Sequence, residues 1–89
     1  MDLPEDVNED LRQQLHQVTE QVRELEQLMA TDQDCRELVA RLARARTDLE
    51  QAGFRLVSAA FTQCLRDEAP SAERAEHLHE LEQLLLRLS

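Results

Sequence analysis

Two cysteines are the residues of this 89-residue chain best suited to chemistry. Cys35 and Cys64 are 29 residues apart, which on a continuous helix is about eight full turns and roughly 44 Å. Both thiols therefore share one face but cannot meet within a chain. Two such helices, antiparallel about a two-fold axis between Leu49 and Glu50, would bring each Cys35 beside the other chain's Cys64. The alternative interpretation is that both cysteines are small buried apolar residues at the edge of a helix seam.

The composition indicates the helices that must position these thiols. Leu occurs sixteen times, Gly once, Pro twice and aromatic residues only as two Phe, while 33% of residues are charged. This pattern is typical of long helices or a coiled coil, and it excludes β-sandwiches, barrels and glycine-rich nucleotide sites. No Ser/His/Asp constellation or converging carboxylate pair stands out, so we do not expect an enzyme. No cofactor is required.

The apolar periodicity predicts a single all-α domain, 1–89, with three helices at about 4–30, 33–66 and 71–88. Pro4 suits the start of the first helix, and Thr31 or Asp32 is expected to cap the second, with Asp34 in its first turn. Ala69-Pro70-Ser71 ends the second helix. The predicted seams are Leu11, Leu15, Val18, Val22, Leu25 and Met29; Leu38, Leu42, Ala45, Leu49, Ala52, Leu56 and Ala59; and Leu78, Leu81, Leu85 and Leu88.

A hairpin of the first two helices would leave part of these seams uncovered. A homo-oligomeric helical bundle is therefore predicted. Gly53 lies on the cysteine face near the middle of the second helix, where the close approach of two helices would explain it. The three histidines, His16, His77 and His79, form no recognisable metal pattern and are expected at the surface.

The charge is strongly acidic but unevenly distributed. The net charge is −9, from ten basic residues, all Arg, and nineteen acids. Residues 1–34 carry −8, residues 35–66 carry +3 and residues 67–89 carry −4. A globally acidic chain is a poor candidate for nucleic acid or an anionic membrane. With no signal peptide and no apolar run near the ~20 residues of a membrane span, we expect a cytoplasmic protein with reduced cysteines and no membrane partner.

A register of residues resembles a known family over about residues 8–68. It comprises Gln21-Val22-Arg23, Met29, Asp32, Cys35, Leu38, Ala43, Arg46, Leu49, Gly53, Leu56 and Cys64. It is similar to the copper-sensing operon repressor (CsoR/RcnR/FrmR) family of metal-sensitive transcriptional repressors. The resemblance implies an antiparallel four-helix-bundle homodimer, pairing into a homotetramer. It also implies operator DNA binding that ends when an inducer binds at the dimer interface, where Cys35 and Cys64 of two subunits lie.

One departure from the family concerns the inducer. Copper-sensing members carry a His four residues before the second cysteine, and here that residue is Ala60. Two thiolates still suit soft Cu(I), but a dithiol without the His is similar to the persulfide-sensing members. Either cysteine is a candidate attacking thiol. The first turn of the second helix favours negative charge at Cys35, whereas Asp34 opposes it.

The other departure concerns DNA. Where the first helix of the family typically has two arginines and two glycines, this chain has Gln14, Gln17, Glu20 and Glu24. Each lost Arg removes a phosphate contact and each Glu adds repulsion. The candidate DNA-binding residues that remain are Arg23, Arg41, Arg44, Arg46 and Arg55. The alternative is that the arginine stripe on the second helix is a solvated face paired with the acidic first helix.

The sequence thus predicts a transcriptional regulator-like protein that senses a thiol-reactive species, such as a persulfide, or a soft metal such as Cu(I). One alternative is a derived member that no longer binds DNA and acts as a metal or thiol buffer, or as a hetero-oligomer partner. A structural coiled-coil adaptor with inert cysteines is the other.

Overall fold

Three α-helices account for nearly all of the chain. The computed structural model describes residues 2–31, 34–66 and 70–88, and within these ranges it contains no strand. The helices are α1 (Glu5–Thr31), α2 (Cys35–Arg66) and α3 (Ser71–Leu88). The prediction of three helices and an all-α fold is confirmed. The predicted Asp32 cap and the Gln33 start of the second helix lie outside the described residues, as does Ala69.

At the start of each helix, a backbone or side-chain oxygen of the preceding residue accepts a hydrogen bond from a backbone N–H of the helix. The Pro4 carbonyl accepts a hydrogen bond from the Asn8 backbone N–H at 2.9 Å, and the Pro70 carbonyl accepts one from Arg74 at 2.9 Å. Asp34 caps α2, because its Oδ1 accepts a hydrogen bond from the Arg36 backbone N–H at 3.1 Å. The expectation that Thr31 caps α2 is wrong, because Thr31 is the last residue of α1 and its hydroxyl donates back to the Gln27 carbonyl.

The three helices form a layer that is one helix thick. Over the described residues α1 and α3 both pack on α2 and not on each other. The principal extents are 56 × 26 × 14 Å and the radius of gyration is 17.2 Å, against about 12 Å for a compact 89-residue domain. The accessible surface is 7026 Å², whereas a compact monomer of this mass exposes about 5,400 Å². The isolated protomer therefore exposes more surface than a compact monomer of its size.

The core between α1 and α2 is narrow and built on small residues. Leu11 and Val18 of α1 are buried with Ala45 and Ala52 of α2, and the short alanine side chains allow the two helices to approach. At the other end of the layer, Cys64 and Leu81 are buried between α2 and α3.

The α1–α2 seam also contains a polar contact. Gln21 Nε2 donates a 2.8 Å hydrogen bond to Asp48 Oδ2, and both side chains are half-buried. A polar pair within an otherwise apolar seam favours one alignment of the helices, because any shift leaves both groups without a partner.

Six exposed apolar residues of α1 and α2, whose helical spacing places them on one broad side of the layer, are here called the open face. Its residues are spaced by seven on each of two helices: Leu15, Val22 and Met29 of α1, and Leu42, Leu49 and Leu56 of α2. All six belong to the predicted seams, yet all six are exposed in the protomer, because the other side of each seam makes the α1–α2 contact. Heptad spacing on two antiparallel neighbours is the pattern of a bundle that needs further helices. Within the described ranges, no helix is long and apolar enough to cross a membrane.

We expect Asp34→Ala to lower the free energy of unfolding by about 1 kcal/mol, because it removes the side-chain acceptor that caps α2. Urea unfolding followed by circular dichroism measures this change. Asp34→Asn keeps an acceptor at the same position and should be nearly neutral. Equal losses for the two variants would show that the charge of Asp34, and not its hydrogen bond, is what matters.

Candidate dithiol site and arginine surface

Cys35 is the first residue of α2 and its side chain is exposed. It follows directly the Asp34 cap, so its backbone position is fixed by the hydrogen bonds that start the helix. An exposed thiol at this position is accessible to a reagent from solution.

Cys64 is in the opposite situation, two residues before the other end of the same helix. It is 0% exposed, the largest fully buried side chain among the described residues. Its thiol donates a weak hydrogen bond to the backbone carbonyl of Arg74 in α3, with 3.8 Å between Sγ and O. The N-terminal half of α3 therefore covers Cys64, and the two thiols differ completely in access.

The two thiols cannot pair within a protomer. Both are free, and α2 runs without interruption from Cys35 to Arg66, so the axial separation is about 44 Å. They lie within about 20° of each other around the helix. Gly53, about five full turns from Cys35, lies on the same side. A Cβ built on Gly53 would meet nothing within 4 Å, so the close helix approach expected there is not made inside the protomer.

The residues of one protomer do not form a metal site. Where copper-sensing members have a His, α2 has Ala60, and no group of three His, Cys, Asp or Glu side chains within the described ranges is arranged to hold a metal ion. His16 and His77 each lie near a glutamate one helical turn away, at 3.9 and 4.0 Å. Binding of Cu(I) would therefore depend on two thiolates from different subunits, because Ala60 provides no imidazole ligand.

His77 is less exposed than the sequence suggested. It lies one turn after Arg74 on the side of α3 that packs against α2, and it is half-buried, with its Nδ1 shielded from solvent. No hydrogen-bond partner for Nδ1 is found within the part of the chain that the structure describes. His79 is exposed, as expected.

Two of the arginines assigned to DNA contacts reach across to α1. Arg41 Nε donates to Glu37 at 2.8 Å, and its Nη1 lies 3.7 Å from Glu24 of α1. Arg55 donates to Asp10 at 3.1 Å and to Gln14 at 3.0 Å, both on α1. Glu24, which replaces a glycine of the family motif, and Asp10, which precedes that motif, thus each partly neutralise one arginine of α2.

The remaining arginines differ in their surroundings. Arg23 pairs with Glu20 at 3.3 Å and Arg46 with Glu50 at 3.0 Å, each on its own helix. Arg44 makes no ion pair with a carboxylate of the described residues, and it points away from the open face because α2 turns about 100° per residue beyond Leu42. Exposed ion pairs of this kind contribute only about 0–1 kcal/mol, so a polyanion could compete for these arginines, but only against local negative charge.

Comparison with protein families shows the family of this chain. The model of the metal-sensitive transcriptional repressor family matches residues 7–87. The chain belongs to this family. The match includes α3, which the resemblance over about residues 8–68 had left out. Comparisons with curated proteins and with solved structures gave no match.

Membership in the metal-sensitive transcriptional repressor family sets the broad function. The family comprises transcriptional repressors and not enzymes, and its members are DNA-binding homo-oligomers. The open face has the character of a surface that an oligomer would bury. In this chain the arginines of α2 lie beside an acidic α1, which a polyanion would have to approach.

The sequence did not predict the cover over Cys64. The spacing that could have indicated this cover is that of five residues on one side of α3: Arg74, His77, Leu78, Leu81 and Leu85. A search for apolar periodicity finds the three leucines but omits Arg74 and His77, because Arg and His are not apolar. The half-buried Gln21–Asp48 pair was missed for the same reason.

We expect the α1 carboxylates to limit DNA affinity. The double change Asp10→Asn and Glu24→Gln removes the α1 carboxylates beside Arg55 and Arg41 and leaves the Arg41–Glu37 pair in place, and should strengthen DNA binding about tenfold at low salt, with a salt dependence steeper by about two charges. Fluorescence anisotropy with DNA from upstream of the gene measures both.

The matched control for this experiment is Glu76→Gln with Glu82→Gln, which changes the net charge equally but on exposed positions of α3. If the control pair strengthens binding as much as the α1 pair, net charge alone explains the effect and the ion pairs of Arg41 and Arg55 do not.

Proposed function

We propose that this member of the metal-sensitive repressor family is a transcriptional regulator that senses persulfides through Cys35 of one subunit and Cys64 of another. The observation that carries the proposal is the pair of free thiols on one side of a continuous α2, in a chain whose third ligand position is Ala60. Sulfur transfer needs two thiols and no imidazole ligand, which fits this set of residues better than a metal does.

The homodimer that this proposal requires is supported by the surface of the protomer. The protomer exposes about 1,600 Å² more than a compact monomer of its mass, whereas a standard stable interface buries about 800 Å² on each partner, so the excess is enough for such a contact. The open face provides apolar residues for that contact. An antiparallel pairing of α2 helices about the Leu49–Glu50 midpoint puts Gly53 near the crossing, where its missing side chain allows close approach.

We assign the first attack to Cys35 because its side chain is exposed and that of Cys64 is buried. The Cys35 thiolate attacks the terminal sulfur of a low-molecular-weight persulfide, RSSH. The S–S bond breaks, RS⁻ leaves with the bonding electron pair and takes up a proton, and Cys35 becomes a persulfide.

The second step joins the subunits. The Cys64 thiolate attacks the inner sulfur of the Cys35 persulfide of the other subunit, a disulfide forms, and hydrosulfide leaves with the electron pair. The two thiols lose two electrons in total and the transferred sulfur is reduced to sulfide. A covalent bond between subunits at each end of α2 would alter the helix arrangement that presents Arg41, Arg44 and Arg55.

A second candidate function is favoured by the ion pairs of the arginines. With Arg41 and Arg55 held by acidic residues of α1, the chain could keep the thiol chemistry and no longer bind DNA, acting as a thiol or Cu(I) buffer or as a partner of a more basic subunit. The anisotropy measurement separates the two. Failure of the reduced chain to bind its upstream DNA below about 10 µM would leave only the second function.

We expect treatment with a low-molecular-weight persulfide to produce a covalent dimer that non-reducing electrophoresis resolves and dithiothreitol reverses. Cys35→Ser and Cys64→Ser should each abolish it, because the bond needs one thiol of each kind. A mixture of the two single variants should restore one bond per dimer, since Cys64 of one chain can meet Cys35 of the other. This mixture is the matched control, because all three samples contain thiols.

Three outcomes contradict this proposal. A covalent dimer that survives either single substitution would place the bond between like cysteines. No covalent dimer in the unmodified chain, with one Cu(I) ion bound per two thiols by mass spectrometry, would make the site a metal site. A chain whose thiols take up neither sulfur nor Cu(I) would be an adaptor with inert cysteines.

We expect Leu49→Asp to convert the oligomer into monomers, because Leu49 lies on the open face beside the proposed two-fold axis and is 50% exposed in the protomer. Sedimentation velocity at micromolar concentration measures the mass. Leu86→Asp is the control: Leu86 is 68% exposed and turned away from α2, so this variant should remain at least dimeric. A Leu49→Asp protein with unchanged mass would rule out this interface.

A further inference from the structure

The third helix has no role in the chemistry described above, yet it covers one of the two thiols. Cys64 is 0% exposed, and its hydrogen bond goes to the carbonyl of Arg74, in the first turn of α3. The only other thiol of the chain, Cys35, is about 44 Å away and cannot react with it within the protomer. A thiol in this position cannot attack a persulfide on another subunit while α3 remains in place.

The attachment of α3 is weak compared with that of α1. Of its 18 residues only Leu81 is buried within the described range, and α3 touches α2 alone. A helix in a protein takes most of its stability from the packing of its apolar face, so little packing leaves α3 weakly held. Segments with few buried contacts open at much lower free energy than the whole domain unfolds.

We propose that α3 is a movable cover that controls Cys64, so that the second, bond-forming step of the thiol reaction waits for α3 to leave α2. This inference rests on the proposed function for its biological meaning, but the cover itself is a property of the protomer. The exposed Cys35 reacts directly, whereas the reaction of Cys64 reports the position of α3. Bond formation at Cys64 therefore holds α3 away from the end of α2, since the space at Sγ is then filled by a partner's sulfur.

The test compares thiol reactivity in single-cysteine chains. The alkylation rate of each thiol is measured by pulsed N-ethylmaleimide labelling and mass spectrometry, and divided by its rate in the urea-unfolded chain. In Cys35→Ser we expect Cys64 to react at least about 100-fold more slowly than when unfolded. Leu81→Ala, which truncates the one buried residue of α3 among those described, should raise the Cys64 rate about tenfold or more. In Cys64→Ser, the same change should leave Cys35 unaffected.

The matched control is Leu86→Ala, the same chemical change on the exposed side of α3. It should leave the protection of Cys64 unchanged. The monomeric Leu49→Asp background should also keep that protection, because the cover belongs to the same chain and not to a partner. If Leu81→Ala loses helix content by circular dichroism, Leu81→Val replaces it, with amide hydrogen exchange of α3 measured in the unmodified chain.

The inference is wrong if Cys64 is protected less than about tenfold, or if loosening α3 leaves its rate unchanged. These outcomes are separate from a failure of the proposed function. Covalent dimers that form with an unprotected Cys64 would remove the cover and keep the sensor. A protected Cys64 whose release by Leu81→Ala still gives no covalent dimer would remove the sensor and keep the cover.

Discussion

The position of α2 between α1 and α3 is the constraint on which the rest of the molecule depends. One helix with a neighbour on either side makes a layer 14 Å thick, and such a layer cannot bury both of its broad sides. The consequence is visible in the burial pattern, because leucines at heptad spacing remain exposed next to alanines that are fully packed. The protomer is therefore built to be completed by other helices, and the family to which it belongs is oligomeric.

The same arrangement explains why the two cysteines differ although they share a face of one helix. α1 runs along the other side of α2 and leaves Cys35 uncovered at the N-terminal end, whereas α3 returns along α2 over Cys64. A purely helical-wheel argument treats the two thiols as equivalent. Their access is decided instead by the length of α3, because its 18 residues span about 27 Å and cannot reach the start of α2.

The sequence was sufficient for the elements and insufficient for the contacts between them. Heptad spacing predicted the three helices that the structure contains, because a long amphipathic pattern is the strongest local signal in a chain. The pattern could not say which residues of each apolar stripe face the neighbouring helix. Leu15 and Leu49 belong to the predicted seams but are exposed in the protomer. Polar residues make part of the contact between α1 and α2 instead: Gln21 binds Asp48, and Gln14 binds Arg55. Polar residues at an interface carry no hydrophobic periodicity, and so the register-setting Gln21–Asp48 pair was not predicted.

The acidic residues of α1 determine how a phosphate backbone can approach the arginines of α2. Most of the negative charge of the chain lies on α1, beside these arginines, so its repulsion of a phosphate there is stronger than the net charge alone would give. A phosphate backbone that approaches Arg41 or Arg55 must displace Glu24 or Asp10, and each displaced carboxylate then stays nearby and repels it. The cysteines lie on a different side of α2, where the departure from the copper-sensing members is the uncharged Ala60. The carboxylates of α1 therefore act on Arg41 and Arg55 without changing the charge around the thiols, so the two sides of α2 can change independently.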